Sequence, residues 1–478
     1  MTYFFLKQCA LRIIPLSFLS VLCLLTSTAF ANDRREPDLE RLEKLDKEFQ
    51  SLSARLLNDY SQENQTKISE KNSISRLRSR VNAAFSNNNP ILALSLITTN
   101  IELIRVHIDT PETQYFLAQT LSYNERHAAE ALVSAAKLDG NLYTQSKFQY
   151  LLANYYFKKG DWAQAQKHLS AIEAENALTQ EEADYATIIF GITLQKSRLH
   201  RKSITFYERI KYSSSYYSYA QLNIAVAYIR QGWWTDAQIA IDKALTNTQE
   251  KGISEEQKAI NNRLYLVLGY SQLQHEFYRD ARETFRNIDL ESPHVNQALL
   301  GIGLCALHQG DYVGSLNAFN ILKKKGKSNK SYDIYIIEAN LLVPFSHEQM
   351  GQNTTASALY TEAIAYYQSR IAQNDQAKEK IRTMSKNSTD IQDILALVSQ
   401  QLKSKIPTNA TNNLAMLSKF SSLIKNTALS NELKSLENTY SKVLASYGIA
   451  LLAENEKLLQ SYLSQAQFGV AKLYDSGQ

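Results

Sequence analysis

Few residues in this sequence have a type and spacing that could support catalysis. Gly301, Gly303 and Ala306 match the G-x-G-x-x-A spacing of a dinucleotide-binding loop, which is meaningful only between a strand and a helix. Here the match lies inside a stretch with a helical apolar pattern, so we interpret it as chance. Residues Lys325–Ser328 match the end of a phosphate-binding loop. The first glycine of that motif is missing, because Ile321 stands at its position.

Metal and nucleophile patterns are also absent from the sequence. The eight histidines are scattered, and no H-x-x-x-H, C-x-x-C, H-E-x-x-H or G-x-S-x-G pattern occurs. Cys305 has no neighbours that would stabilise a thiolate, so we expect its side chain to be buried as a small apolar group and not to act as a nucleophile. The carboxylate pairs Glu181–Glu182 and Glu255–Glu256 stand at predicted helix starts, where they complement the helix dipole. We expect no enzymatic activity, no cofactor and no metal.

The composition predicts an all-α fold. The 478 residues include 15 glycines and 7 prolines, under half of the ~12% that the two residues usually contribute together. Both residues interrupt helices, so their scarcity favours long ones. The 52 basic and 47 acidic residues nearly balance, which argues against a nucleic-acid-binding protein.

The first 31 residues have the features of a secretory signal peptide. Lys7 and Arg12 supply positive charge before an apolar run that starts at Ile13, and Ala29–Ala31 forms a small-x-small cleavage site. The apolar run is shorter than the roughly 20 residues that span a bilayer, although an uncleaved anchor is the alternative. Cleavage after Ala31 would leave a net charge of +3, a single cysteine and no stable membrane span. We therefore expect a periplasmic protein.

A pattern of small and aromatic residues recurs along the middle of the chain. Small residues would allow two helices to cross closely, a glycine would end the first helix in the left-handed conformation, and an aromatic residue would fill the space between the helices. The clearest copies are Ala153, Gly160, Trp162, Ala165 and Leu169, followed by Ala225, Gly232, Trp234, Ala237 and Ile241.

This pattern resembles the tetratricopeptide repeat, a helix–turn–helix unit of 34 residues. The small-residue position recurs at 153, 191, 225, 269, 303 and 344, which gives six copies within 145–370. The longer intervals are assigned to inter-repeat loops at 246–255 and 323–331. Two degenerate copies are predicted in 70–144, with Ala118 aligned to Ala153. The resemblance implies a right-handed solenoid of helical repeats.

In this family the first helices line a concave groove that binds peptides or partner proteins. By resemblance, the groove residues here would be Tyr150, Asn154, Phe157, Ile188, Ile192, Leu222, Val226, Ile229, Leu266, Tyr270 and Leu273, with Leu300, Leu304 and Leu307 beyond them. The alternative is that several of these residues are packed under the C-terminal helices. Some members clamp a terminal carboxylate with Lys and Asn. Only Asn154 fits that pattern, because Tyr150, Ile192 and Val226 stand at the other clamp positions.

The two ends of the chain differ from the repeats. Residues 32–69 contain leucines spaced three and four apart, which predict either a capping helix or a short coiled coil. Past residue 370 a helical domain is predicted over 371–478, with helices at 388–405 and 412–425. A long amphipathic helix at 431–474 could cap the array or bind a partner, and self-association through it is a further expectation.

These features favour a non-catalytic scaffold or adaptor. We expect protein partners in the bacterial cell envelope, bound as a peptide or helix in the groove, and no nucleic acid. The alternative is an assembly factor for polysaccharide export, pili or cell-wall synthesis.

Overall fold

The computed structural model describes residues 36–64, 66–68, 74–250, 254–328, 333–384 and 407–476. The described residues form α-helices and one short 3₁₀ turn, with no strand, which confirms the all-α prediction. The predicted signal at 1–31 and the predicted helix at 388–405 lie outside them. The helices are α1 (Glu36–Asn64), α2 (Ile74–Ser86), α3 (Pro90–Thr99), α4 (Ile101–Val106), α5 (Pro111–Ser122), α6 (Arg126–Asp139), α7 (Leu142–Lys159), α8 (Trp162–Ser170), α9 (Gln180–Lys196), α10 (His200–Tyr207), α11 (Tyr217–Arg230), α12 (Trp234–Glu250), α13 (Glu255–Gln274), α14 (Tyr278–Arg286), α15 (Val295–His308), α16 (Tyr312–Ser328), α17 (Ile334–Gln349), α18 (Asn353–Met384), α19 (Thr408–Ser421) and α20 (Thr427–Ser476).

Eight helical hairpins form the body of the protein: α2/α3, α5/α6, and the six consecutive pairs from α7/α8 to α17/α18. Each hairpin turn contains one residue in the left-handed conformation: Asn88, Asn124, Gly160, Arg198, Gly232, Glu276, Gly310 and Gly351. Four of them are glycines, which adopt this conformation without steric cost. The residue seven positions earlier is buried in every hairpin, where the two helices cross.

Close packing at these crossings depends on a small residue facing an aromatic ring. A Cβ atom on Gly269 would lie 2.6 Å from the ring of Phe285, and one on Gly301 of the next hairpin would also overlap that ring. Phe285, which is 1% exposed, is therefore held between two glycines. Such contacts fix each hairpin against the next one.

Two details of the predicted repeats need correction. In the second hairpin, the position seven residues before Asn124 is Leu117, which is fully buried, whereas Ala118 is half-buried. The segments 246–255 and 323–331, which were predicted to be loops, are partly helical, because α12 continues to Glu250 and α16 to Ser328. The apolar second-helix pattern simply continues for extra turns there.

The contacts between helices show how the array curves. Successive first helices contact one another along the whole series of hairpins, whereas successive second helices make no contacts of that extent within the described residues. The first helices are therefore the more closely spaced layer, and they lie on the inner side of the curve.

The long helix α20 completes the last hairpin. Its C-terminal half packs on α17 and α18, as the first helix of another hairpin would. A Cβ atom on Gly469 of α20 would lie 2.6 Å from the ring of Tyr360, which repeats the arrangement of Gly301 against Phe285. The apolar face of α18 is thereby covered.

The N-terminal half of α20 packs on α1 and α19, and α18 extends into the same core. We call these four helices the closure bundle. Because α1 also packs on α3 and α6, the bundle joins the first hairpins to the last one. The predicted stripe on α20, including Leu433, Leu436 and Tyr440, is buried in this core. The surface on which self-association was predicted is thus covered within the chain.

A buried polar cluster ties the closure bundle to the repeats. Asp46 of α1 accepts hydrogen bonds from the side chains of Asn124 at 3.0 Å and Asn413 at 2.9 Å, and it also pairs with Arg126. Asn124 in turn accepts a hydrogen bond from Lys159. Burial lowers the pKa of that lysine to about 7, and the nearby positive charge of Arg126 adds to the effect.

None of the described helices combines the length and the apolar character that a membrane span requires.

Gly269→Ala tests the packing of the hairpins. We expect a loss of about 1–3 kcal/mol in the free energy of unfolding, because Phe285 cannot move away without striking Gly301. Urea unfolding followed by circular dichroism measures the change. Gln274→Ala, at an exposed position of the same helix, is the control. Equal stability of the two variants would contradict the tight crossing.

Asp46→Ala tests the polar cluster. The substitution leaves three donors without their shared acceptor, so we expect a loss of about 1–3 kcal/mol in stability. Hydrogen exchange should accelerate first in α1 and α19. Glu43→Ala, which changes an exposed carboxylate of the same helix, should leave exchange unchanged. Unaltered protection of α1 in Asp46→Ala would show that the cluster does not hold the bundle.

Candidate protein-interaction surface

The candidate surface is the inner face of the first helices. All eleven predicted groove residues lie on first helices of consecutive hairpins, from α7 to α13. Six of them are buried between helices: Tyr150, Ile188, Leu222, Leu266, Tyr270 and Leu273. The other five are half-buried: Asn154, Phe157, Ile192, Val226 and Ile229. The buried members form the floor and the half-buried members are the ones that a partner could contact.

Local packing fixes the half-buried members. Phe157 lies edge-on to Trp162, with ring centroids 5.6 Å apart. Val226 and Ile229 are one turn apart on α11 and rest on the core between α9 and α13. Their outer surfaces therefore form an apolar strip along the middle of the inner face.

One edge of this face, at the N-terminal ends of the first helices, is aromatic and acidic. Thr179 and Glu182 form a capping box at the start of α9, which satisfies the free N–H groups there. Glu182 also pairs with Lys147 of α7 at 2.6 Å. Burial alone would raise the pKa of this carboxylate, but its hydrogen bonds, above all the one from Lys147, outweigh burial and lower the pKa. Beside this pair, the rings of Tyr185 and Tyr216 are 5.5 Å apart.

The opposite edge, at the C-terminal ends of the same helices, is basic. Lys196 of α9 lies over the ring of Trp162 at 5.1 Å. Burial lowers the pKa of Lys196, and the neighbouring Arg230 of α11 lowers it further. This distribution of charge follows the helix dipole, which favours carboxylates at N-termini and cations at C-termini. The inner face therefore has two unlike edges on either side of an apolar strip.

A carboxylate clamp does not form at the predicted positions. Burial raises the pKa of Tyr150, although the hydrogen bond with Asn154 acts in the opposite direction. The Oδ1 atom of Asn154 is buried without a hydrogen-bond partner in the described part of the chain. These two groups offer no cation to a terminal carboxylate.

Sequence reasoning did not identify Tyr185, Tyr216 and Tyr219. A signal was present, because Tyr185 and Tyr219 each stand 13 residues before the left-handed turn residue of their hairpins. Extending the repeat alignment one turn towards the helix N-terminus would have found both. Tyr216 precedes α11 and no repeat position indicates it.

Two kinds of chemical group were sought among the described residues, a metal-binding cluster and a reactive thiol. They contain no group of three or more His, Cys, Asp or Glu side chains that could hold a metal ion. Cys305 is fully buried, and burial raises the pKa of its thiol to about 12. A thiol in that environment stays protonated and unreactive, as the sequence predicted.

An apolar cleft lies outside the predicted groove. It has a volume of about 600 Å³ and is bordered by α8, α9 and α10. The rings of Phe190 and Phe206 are 4.5 Å apart at its wall, and Arg209 lies 4.2 Å from the second ring.

Comparison with known proteins gives one match to a family model and several distant structural similarities. A solved tetratricopeptide repeat protein from Parabacteroides merdae has 15% identity and a TM-score of 0.35, covering 61% of this chain and 98% of that one. The apo form of RapI has 13% identity and a TM-score of 0.45, covering 76% and 97%. A Rap protein complexed with competence and sporulation factor has 13% identity and a TM-score of 0.31, covering 76% and 99%. None of the curated proteins matches this sequence.

The family model for the tetratricopeptide repeat matches residues 266–329. That segment begins in α13 and extends through α14, α15 and α16, two hairpins with left-handed turns at Glu276 and Gly310. The same hairpin geometry recurs before and after the matched segment. Residues 266–329 are therefore similar to tetratricopeptide repeats, and the hairpins on either side of them share the same turn geometry.

Proposed function

We propose that this protein is a non-catalytic scaffold of the bacterial cell envelope that binds a peptide or helix of a partner protein along the inner face of its first helices. The observation that carries the proposal is the half-buried apolar strip around Val226 and Ile229. The C-terminal helix α20 does not pack on α11, which carries this strip, since its contacts are with α1, α17, α18 and α19.

The chemistry of the inner face suits a protein partner. An apolar strip flanked by polar edges matches an amphipathic helix or an extended segment, whose apolar side chains would enter the strip. The envelope location rests on the signal predicted at 1–31 alone.

Two specific roles, both inferred from the sequence, are compatible with this surface. An adaptor in the periplasm, or an assembly factor for polysaccharide export, pili or cell-wall synthesis, would use the same surface. Self-association through 431–474 would require α20 to leave its contacts with α1, so we do not include it in the proposal.

Site-specific photo-crosslinking in living cells tests the proposal. A benzophenone amino acid at Ile229 should give a discrete crosslinked product, whereas the same amino acid at Val313, which is 60% exposed on the second helix α16, should not. The double substitution Val226→Glu and Ile229→Glu should abolish the function of the protein in cells, because a charge cannot enter an apolar contact without a large desolvation cost.

Val313→Glu is the matched control and should leave function intact. Products of equal intensity from positions 229 and 313 would contradict binding on the inner face. Fractionation that places the protein in the cytoplasm would contradict the envelope role separately.

A further inference from the structure

Four tyrosines come together at the aromatic edge of the inner face. Tyr185 and Tyr216 have ring centroids 5.5 Å apart, and Tyr216 and Tyr219 have centroids 6.3 Å apart. Tyr150 of α7 is close enough for both Tyr185 and Tyr216 to affect its titration. We call these four residues the tyrosine cluster. It spans three consecutive first helices, α7, α9 and the start of α11.

Carboxylates border the tyrosine cluster. Burial raises the pKa of Tyr216, and the nearby charges of Glu181 and Glu256 raise it further. Glu256 acts on Tyr219 in the same way, opposed by Arg263. The four phenols therefore remain neutral at physiological pH. Tyr150 lies buried beneath the cluster, and the half-buried rings of Tyr185, Tyr216 and Tyr219 present π faces.

The local charge is opposite to that of the whole chain. Glu182 and Lys147 neutralise each other at 2.6 Å. Glu181 and Glu256 form no ion pair with another described residue, and Asp184 of α9 accepts a hydrogen bond from Ser214. Carboxylates therefore outnumber cations at this edge. The complete sequence carries a net charge of +5, so this acidic edge differs in sign from the chain as a whole.

We propose that the tyrosine cluster, together with Glu181 and Glu256, binds cationic arginine or lysine side chains of an extended partner segment. This inference rests on the proposed function and gives the partner a chemical class. An ammonium or guanidinium group over a tyrosine ring is attracted by the negative face of the ring, and an arginine can also hydrogen-bond to both carboxylates and phenols. The apolar strip beside the cluster would hold the neighbouring apolar side chains of the same segment.

Peptide binding to the full chain tests this inference. The probe is a fluorescein-labelled extended peptide with two arginines in a proline–glycine–leucine background, measured by fluorescence anisotropy. Its matched partner replaces each arginine with citrulline, which keeps the shape and removes the charge. We expect the arginine peptide to bind about threefold to tenfold more tightly, with the difference shrinking as salt is added.

Two charge-matched double variants locate the site. Glu181→Gln with Glu256→Gln should remove most of the preference for the arginine peptide. Glu208→Gln, directly after α10, with Glu283→Gln on α14, both at exposed positions, should retain it. These substitutions are at the surface and preserve the fold, whereas Tyr185→Leu and Tyr219→Leu would confirm the role of the rings where circular dichroism shows a folded protein.

Three outcomes of the peptide experiments would overturn the inference: equal affinity for the arginine and citrulline peptides, no binding of either, or an unchanged preference in the Glu181→Gln and Glu256→Gln variant. Binding of phosphatidylcholine vesicles in place of the arginine peptide would assign the cluster to a lipid headgroup, and it too would overturn the inference. Crosslinking at position 229 remains an independent result. If crosslinking at position 229 gives a product but the peptides show no preference for arginine, the proposed function stands and only the inferred cationic character of the partner is wrong.

Discussion

The need to cover both ends of a helical array governs this structure. Each hairpin buries one face against the previous hairpin and one against the next, so the first and last hairpins would each expose an apolar face. Here a single helix, α20, contributes to both solutions, since one half packs on α17 and α18 and the other half on α1. The closure bundle thus joins the first hairpins of the array to the last one.

Closure explains the polar residues in an otherwise apolar core. Asp46, Asn124 and Asn413 belong to three segments that are far apart in sequence, and their hydrogen bonds are satisfied only when all three segments meet. A buried polar group without a partner is costly, so this cluster favours one docked arrangement of α1 and α19. The same joining leaves the first helices free to form the inner face.

The inner face acquires its character from ordinary helix chemistry. Carboxylates that favour helix starts line one edge, and cations that favour helix ends line the other. The repeat places these edges parallel to each other because every first helix runs in the same direction. Aromatic residues at equivalent positions, such as Tyr185 and Tyr219, then form a continuous cluster at one edge.

Much of the repeat body was predictable from local signals. Gly160, Gly232 and Gly310 adopt the left-handed conformation that the repeat pattern required, and Ala153 and Ala225 are fully buried at the crossings. The closure bundle was less predictable, because its contacts join α1 to α20 across almost the whole chain and no local pattern encodes such a pairing. The stripe on α20 indicated burial without indicating the partner, which proved to be intramolecular.

The groove residues were predictable as a set of positions, but their exposure was not. Leu222 and Leu273 occupy repeat positions that face inward, and yet each is only 2% exposed. Whether such a position is floor or surface depends on how closely neighbouring first helices approach. That distance is set by the glycine–aromatic contacts at the helix crossings. A ring such as Phe285 contacts glycines of two hairpins, so a single repeat does not determine the distance.

A crosslink between α1 and α20 tests most directly whether the two ends of the helical array are joined. Arg55 of α1 and Glu432 of α20 pair at 2.6 Å, and both side chains are 50% exposed, so cysteines at these positions should be tolerated. In a background with Cys9 and Cys23 replaced by serine, a short bismaleimide should crosslink Arg55→Cys to Glu432→Cys within one chain. A crosslinked monomer in dilute solution is the predicted result. Uncrosslinked chains, or crosslinked dimers alone, would contradict closure.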